Sequence, residues 1–127
     1  MANQRIYKYS PWGQVDYQRT IIEGIISVGT PSHGGIKLSA KRQAQMPDYM
    51  RSDDGWYEED CDWALVYVVF GVEIRRYYEA HPEDENAEYE LRNLRSAPES
   101  VKNWRPEAYE KFFGEIIPIG ESYIRSH

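Results

Sequence analysis

Three short runs rich in β-branched residues set the hydrophobic pattern of the first third of the chain: Tyr17 to Ile22, Ile25 to Val28, and Ile36 to Ser39. Glu23-Gly24 separates the first two, which reads either as a tight hairpin or as one strand with a glycine bulge. The turn-rich segment Gly29-Thr30-Pro31-Ser32-His33-Gly34-Gly35 separates the second from the third. Ile36-Lys37-Leu38-Ser39 then alternates as a half-buried strand does. The pattern predicts a second hairpin with His33 at its tip. Ser39 is a good N-cap for a short helix from Ala40 to about Met46, which Pro47 ends or restarts. Ser52-Asp53-Asp54-Gly55 reads as a loop by composition. Near the start, Pro11-Trp12-Gly13 reads as a turn that tucks an indole against the body.

The most apolar run follows an acidic, aromatic stretch: Gly55-Trp56-Tyr57-Glu58-Glu59-Asp60-Cys61-Asp62-Trp63 leads into Ala64 to Phe70. Residues 64–70 suit a buried strand as well as a helix. Three features favour a helix from Asp60 to about Tyr78. Glu58, Glu59, Asp60 and Asp62 cluster where a helix dipole favours negative charge, and Arg75 and Arg76 lie toward the end where it favours positive charge. The pattern also outlasts a typical strand, until His81-Pro82 stops it. Trp63, Tyr67, Phe70 and Ile74 would share one face of this central helix, with Leu65, Val69 and Val72 on the next.

Glu83 to Glu90 reads as an acidic helix start, continuing through Leu91 and Leu94 until Ser96-Ala97-Pro98 breaks it. Glu99 to Trp104 is a short turn or helix. Pro106 is placed as the first residue of another helix ending at Phe113, with Gly114 as its C-terminal cap. Trp104, Tyr109 and Phe112, at helical spacing, read as core. Ile116 to Ile119 is extended and apolar, and Gly120 to His127 a tail. There is no repeat, linker or low-complexity segment, so residues 1–127 read as a single domain. The expected fold is α+β: a small antiparallel sheet of two to four strands packed on a central helix, with C-terminal helices.

Composition narrows the functional classes. The 127 residues carry a net charge of −6, which argues against nucleic-acid binding, where Lys and Arg must neutralise phosphates. Eleven Tyr and four Trp supply large rings with polar tips, suited to a small core and to interfaces. A lone cysteine, Cys61, excludes an intrachain disulfide and points to a reducing compartment. The first residues lack the apolar core of a signal peptide, and no run reaches the roughly 18 apolar residues of a membrane span. A cytoplasmic protein without membrane association is expected.

Two stretches concentrate chemistry. In Thr30 to Gly35, glycines beside a histidine let backbone N–H groups approach a ligand, and His33 titrates near neutral pH. No Gly-x-Ser-x-Gly elbow accompanies it, and Ser32 beside His33 points the wrong way for a nucleophile–base pair. In Gly55 to Trp63, paired carboxylates suit acid–base work or a hard cation. Yet Asp60 and Asp62 lack the glycine and distal Glu of a calcium loop, and the histidines are too scattered for zinc. Neither metal nor cofactor is implied. The catalytic candidates are His33, Glu59 and Asp60. The binding candidates are Asp53, Asp54, Trp56, Tyr57, Glu58 and Glu59, an acidic, aromatic rim.

These residues carry a resemblance. Pro11-Trp12, Thr30 with Ser32 to Gly35, Leu38-Ser39, Met46-Pro47, Gly55 to Trp63, Leu91-Arg92-Asn93 and Trp104 to Gly114 resemble a domain family of unknown function found in tailed-phage, plasmid and proteobacterial accessory genes. The resemblance covers nearly the whole chain and brings no assigned activity. It implies a small acidic accessory protein that binds a host protein in the host cytoplasm, with inhibition of a host defence system as one such role. Two other classes stand beside it: a small hydrolase or transferase using a His33–carboxylate pair, and a structural homodimer. The fold expected from the motifs brings the His33 tip beside Glu58, Glu59 or Asp60.

Overall fold

The structure, a computed structural model, describes residues 6–126. The fold is α+β, with six α-helices, a two-stranded and a four-stranded antiparallel sheet among the described residues. The chain forms two compact units, one ending at Trp63 and one beginning at Ala64.

In the first unit, β1 (Tyr9–Ser10) and β2 (Gly13–Gln14) close a small hairpin around Pro11-Trp12. β3 (Tyr17–Ile22), β4 (Ile25–Gly29), β5 (Gly34–Leu38) and β6 (Trp56–Glu58) form an antiparallel meander in that order. Of the two readings for Glu23-Gly24, the hairpin is the one present: Ile22 pairs Ile25 across a two-residue turn, and the register shifts between Thr20 and Ile22. Gly24 sits at φ +83°, where a side chain would be strained and would press on Ser39 and Arg42. The second hairpin joins β4 to β5 through Thr30 to His33, with the histidine at its tip as the pattern predicts. α1 (Ala40–Gln45) begins at Ser39, whose hydroxyl accepts from Arg42 N–H, and a 3₁₀ turn (Asp48–Met50) follows Pro47. Ile21, Ile25, Val28, Ile36, Leu38, Met46, Met50 and Tyr57 are buried.

The second unit is helical: α2 (Trp63–Val69), α3 (Gly71–Ala80), α4 (Ala87–Trp104), α5 (Pro106–Phe113) and α6 (Tyr123–Ser126). The apolar run 64–70 is therefore helical, but the helix expected from Asp60 to Tyr78 is two. It begins three residues later than expected and breaks at Phe70, whose φ −103° and ψ 18° leave helical geometry just before Gly71, a poor helix former. The charge argument for that helix does not hold: α2 has no acid in its first turn, and neither α2 nor α3 has a base in its last. Burial of Ala64, Leu65, Val66 and Tyr67 supports it instead.

The helix the unit is built around is α4, which packs against α3, α5 and α6. Ala87, Glu90, Leu94, Ala97 and Val101 are buried at alternating spacings of three and four, one stripe of the helix. Here the sequence expectation fails twice. Glu83 to Asn86 form a turn, closed by Asn86 N–H donating to Asp84 Oδ1 at 2.8 Å, and the helix starts at Ala87. Pro98 does not break α4 but lies inside it. An interior proline costs about 3 kcal/mol. Burying a Leu or Val side chain returns roughly 1.5–3 kcal/mol each, and Leu94 and Val101 flank Pro98 on the buried stripe. Packing outweighs propensity.

Pro106 opens α5 and Gly114, at φ +69°, caps it, as expected. The aromatic set does not behave as core: Trp104 and Phe112 are exposed, and the buried positions are Pro106 and Ala108. The segment after α5 is fixed by polar contacts. Glu110 receives both Arg125 guanidinium nitrogens, at 2.8 and 2.9 Å, and Ile117 N–H at 2.8 Å. These donors hold its carboxyl at about 2, well below its ordinary 4.5. A depressed carboxyl contributes stability above its unfolded value and loses it as pH falls through the folded one. The anchoring of residues 115–126 is thus expected to be complete above pH 4.5 and to weaken toward pH 2. At neutral pH, Glu110→Gln should give its largest rise in amide exchange at Ile117. Unchanged exchange across 115–126 would count against the clamp.

Candidate functional site

The Gly55–Trp63 stretch is organised by a strand that the sequence pattern does not reveal. β6 pairs with β5 as Lys37↔Trp56, Ile36↔Tyr57 and Gly35↔Glu58. Strand alternation sends Tyr57 to one face and Trp56 and Glu58 to the other. Tyr57 is 1% exposed. Its hydroxyl donates to Gln43 Oε1 at 2.6 Å and accepts from Ser52 N–H at 3.1 Å. It is an anchor of the unit, not part of an exposed rim. On the opposite face Trp56 meets Trp12 and Tyr7 edge-on, at 5.6 and 5.5 Å between centroids, with Lys37 Nζ 5.3 Å from its ring. The indole expected to tuck in at Pro11-Trp12 does so here.

The acidic residues expected to form one rim lie at the two ends of β6. A three-residue strand spans roughly 10 Å, so the groups are distinct. At the entrance, Asp54 Oδ1 accepts from Trp56 N–H at 3.0 Å and the Asp54 carbonyl accepts from Lys37 Nζ at 2.9 Å. Asp53 and Asp54 are both exposed. At the exit, the turn Glu59 to Asp62 closes with Asp62 N–H donating to Glu58 O at 3.1 Å.

The exit is where the histidine tip and the acids come together. Glu59 N–H donates to Gly34 O at 3.0 Å, tying the turn to the first residue of β5. The tip itself is fixed by Thr30: its N–H and hydroxyl both donate to the His33 carbonyl, at 2.7 and 2.9 Å, and its Oγ1 accepts from His33 N–H at 3.0 Å. His33 is exposed and close enough to Glu58 for its charge to act on that carboxyl. Glu58 is held above the ordinary carboxylate value, first by a hydrogen bond with Asp60, then by partial desolvation and the charges of Asp60 and Asp62, while His33 opposes the rise. Glu59 and Asp60 are exposed, and Cys61 is half-buried and in no disulfide.

Chemically, the corner sets the Glu58 and Asp60 carboxyls in hydrogen-bonding reach of each other and presents further acids beside an imidazole. Among the described residues, no group of three or more His, Cys, Asp or Glu side chains is arranged to hold a metal ion. The Thr30 hydroxyl is occupied by the backbone of His33. Of the candidate residues, His33, Glu58, Glu59 and Asp60 share this corner. Asp53 and Asp54 occupy the other end of β6, Trp56 lies under its aromatic cover, and Tyr57 faces inward. What the sequence reading lacks is β6 itself; its only signature is the Trp-Tyr-Glu alternation, too short to distinguish from chance.

Neither the curated proteins nor the solved structures yield a match to this chain. A family model does, over residues 5–127, and it is described as Domain of unknown function (DUF7007); with nearly its whole length matched, the chain belongs to that family.

Proposed function

We propose that this domain works by binding rather than by catalysis. On this reading it is an accessory protein of a phage or mobile element that engages a basic surface on a host protein in the host cytoplasm. Inhibition of a host defence factor is the biological effect the reading favours. The observation that carries it is the crowding at the β6 exit. Glu58, Glu59, Asp60 and Asp62 fall within five residues, and the Glu58 carboxyl is raised above its ordinary value, first by a hydrogen bond with Asp60, then by partial desolvation and the charges of Asp60 and Asp62. A cationic partner relieves that repulsion, whereas nucleic-acid phosphates add to it. The backbone beneath is already fixed to β5, so little order is lost on docking. The contact surface is the exit corner, with Glu59 and Asp60 as its exposed charges. The mobile-element setting rests on the motif resemblance alone.

Charge reversal tests the reading. Glu59→Lys with Asp60→Lys should weaken capture of the host partner at least about tenfold. Both sites are exposed, so thermal stability should stay within the roughly 0.5 kcal/mol typical of surface changes. Capture should also fall with added salt. Undiminished capture by the reversed variant would refute the assignment.

One observation favours a second reading, a hydrolase or transferase in which His33 and a carboxylate, Glu59 or Asp60, pass a proton: the tip and the acids share the corner, with His33 acting on Glu58. His33→Ala separates the two. If it abolishes the biological effect while folding and partner capture persist, catalysis gains and the binding reading fails.

A further inference from the structure

We propose that residues 115–126 form a strap that opens and recloses as one piece, released by salt, while α4 and α5 stay folded. This inference stands apart from the function proposed above. The strap is fastened by polar groups rather than by apolar burial. Of its apolar side chains only Ile117 is buried; Ile116 and Ile119 are essentially fully exposed, and Pro118 and Ile124 are exposed too. Tyr123 lies 5.0 Å from Trp104 between ring centroids, but both rings remain exposed. The other buried residue is Ser122, whose hydroxyl donates to Asn103 O at 3.3 Å. Burial of apolar surface therefore contributes little to docking this segment, in contrast to the inner stripe of α4.

Two helices hold the strap. On α5, one carboxylate fastens both of its ends: Glu110 Oε2 accepts from Ile117 N–H and from Arg125 Nη1, each at 2.8 Å, and Oε1 accepts from Arg125 Nη2 at 2.9 Å. Tyr109 O–H also donates to Glu115 Oε2 at 3.2 Å. On α4, Lys102 Nζ meets Glu121 Oε1 at 3.1 Å, and Asn103 Oδ1 accepts from Tyr123 N–H at 3.0 Å. Because the two ends share one acceptor, they let go together. The bonds inside the segment, Glu121 N–H to Pro118 O and Ser126 N–H to Ser122 O, travel with it. The side chains of both ion pairs keep between 19% and 54% exposure, so dissolved salt reaches them. Exposed pairs are weak singly, which places the strap among the segments that open locally, ahead of the core. Lifting it bares Asn103 and the Glu110 carboxylate, while α4 keeps its packing on α3 and α5.

Native-state hydrogen exchange of the full chain at neutral pH, read residue by residue, tests this. Ile117 and Tyr123 N–H are bound to different helices, yet one opening exposes both, so their opening constants should agree within about twofold. Raising NaCl from about 0.02 M to about 0.5 M shortens the screening length from roughly 20 Å to about 4 Å and should raise both constants about threefold. Val101 N–H in α4 should not respond. Arg125→Gln removes the ion pair but leaves Glu110 to accept from Ile117. It should raise both strap constants alike, by roughly three- to tenfold, and weaken their dependence on salt. Should that variant lose overall stability, the salt series on the native chain decides, with the same rise expected. Ile117 and Tyr123 opening by unlike factors, a strap indifferent to salt, or Val101 opening along with it overturns the proposal.

Discussion

Replacing Gly35 by alanine is expected to collapse the first unit, at a cost of about 3 kcal/mol or more. A Cβ at this position would sit 2.4 Å from the Tyr57 carbonyl oxygen and 2.3 Å from Cη2 of Trp12. The first of these is backbone of the paired strand, so no rotamer change relieves it. The strands must part, or the indole must leave. Either movement undoes the β5–β6 pairing that positions Glu58. Against a total stability of roughly 5–15 kcal/mol for a domain, such a loss is large. Gly29→Ala is the matched control: a Cβ there meets only Tyr17 carbons at 3.6 and 3.8 Å and an Asp16 oxygen at 4.0 Å, all ordinary contact. Thermal melts followed by tryptophan fluorescence, which reports Trp12 and Trp56, should show a pronounced drop for the first variant and little for the second. Near-identical melts would mean the tight fit at Gly35 is not real.

Glu90→Ala is the second large effect expected, in the helical unit. Glu90 is fully buried on the inner stripe of α4, and the hydroxyl of Tyr67 in α2, also buried, donates to its Oε1. Truncation leaves a cavity and removes the acceptor of a buried donor. Together these cost roughly 2–5 kcal/mol. Tyr67→Phe removes only the donor and should cost about 1–3 kcal/mol. Combined with Glu90→Ala, the two losses should fall short of additive, since both remove the same bond. Chemical denaturation of the three variants decides. Additivity would show that the two side chains do not act as a pair.

How far these positions could be read from the sequence depends on the range of the forces that set them. Turns and caps were legible because their chemistry is local. The two-residue turn at Glu23-Gly24, the tip at Thr30 to His33, the Ser39 cap, Pro106 and Gly114 each depend on a few neighbouring atoms. β6 was not legible, because three residues flanked by acids carry no periodicity, and its pairing with β5 is fixed by partners twenty residues away. The acids after it imitated a helix start, and the dipole argument misplaced them. Local propensity makes Pro98 a helix breaker, whereas the burial of Leu94, Ala97 and Val101 decides its place in α4. Helical spacing marks Trp104 and Phe112 as core, yet the small residues Pro106 and Ala108 fill that role. At the candidate site, the sequence indicated that the histidine tip and the acids would be neighbours. It gave no sign that Tyr57 turns inward or that Asp53 and Asp54 stand at the far end of a strand.

The meeting of the hairpin tip and the acidic turn is tested most directly by a carbon-detected titration of the Glu58 carboxyl. In the native protein, Glu58 should titrate above the ordinary value of 4.5, because Asp60 hydrogen-bonds it and the charges of Asp60 and Asp62 oppose its ionisation. A raised carboxyl favours the folded state below its unfolded value, and that contribution is lost as pH rises through the folded one. Asp60→Asn should bring Glu58 back toward 4.5, and His33→Ala should raise it further by removing the charge that lowers it. A Glu58 carboxyl that titrates at its ordinary value and moves with neither substitution would contradict the arrangement of the corner.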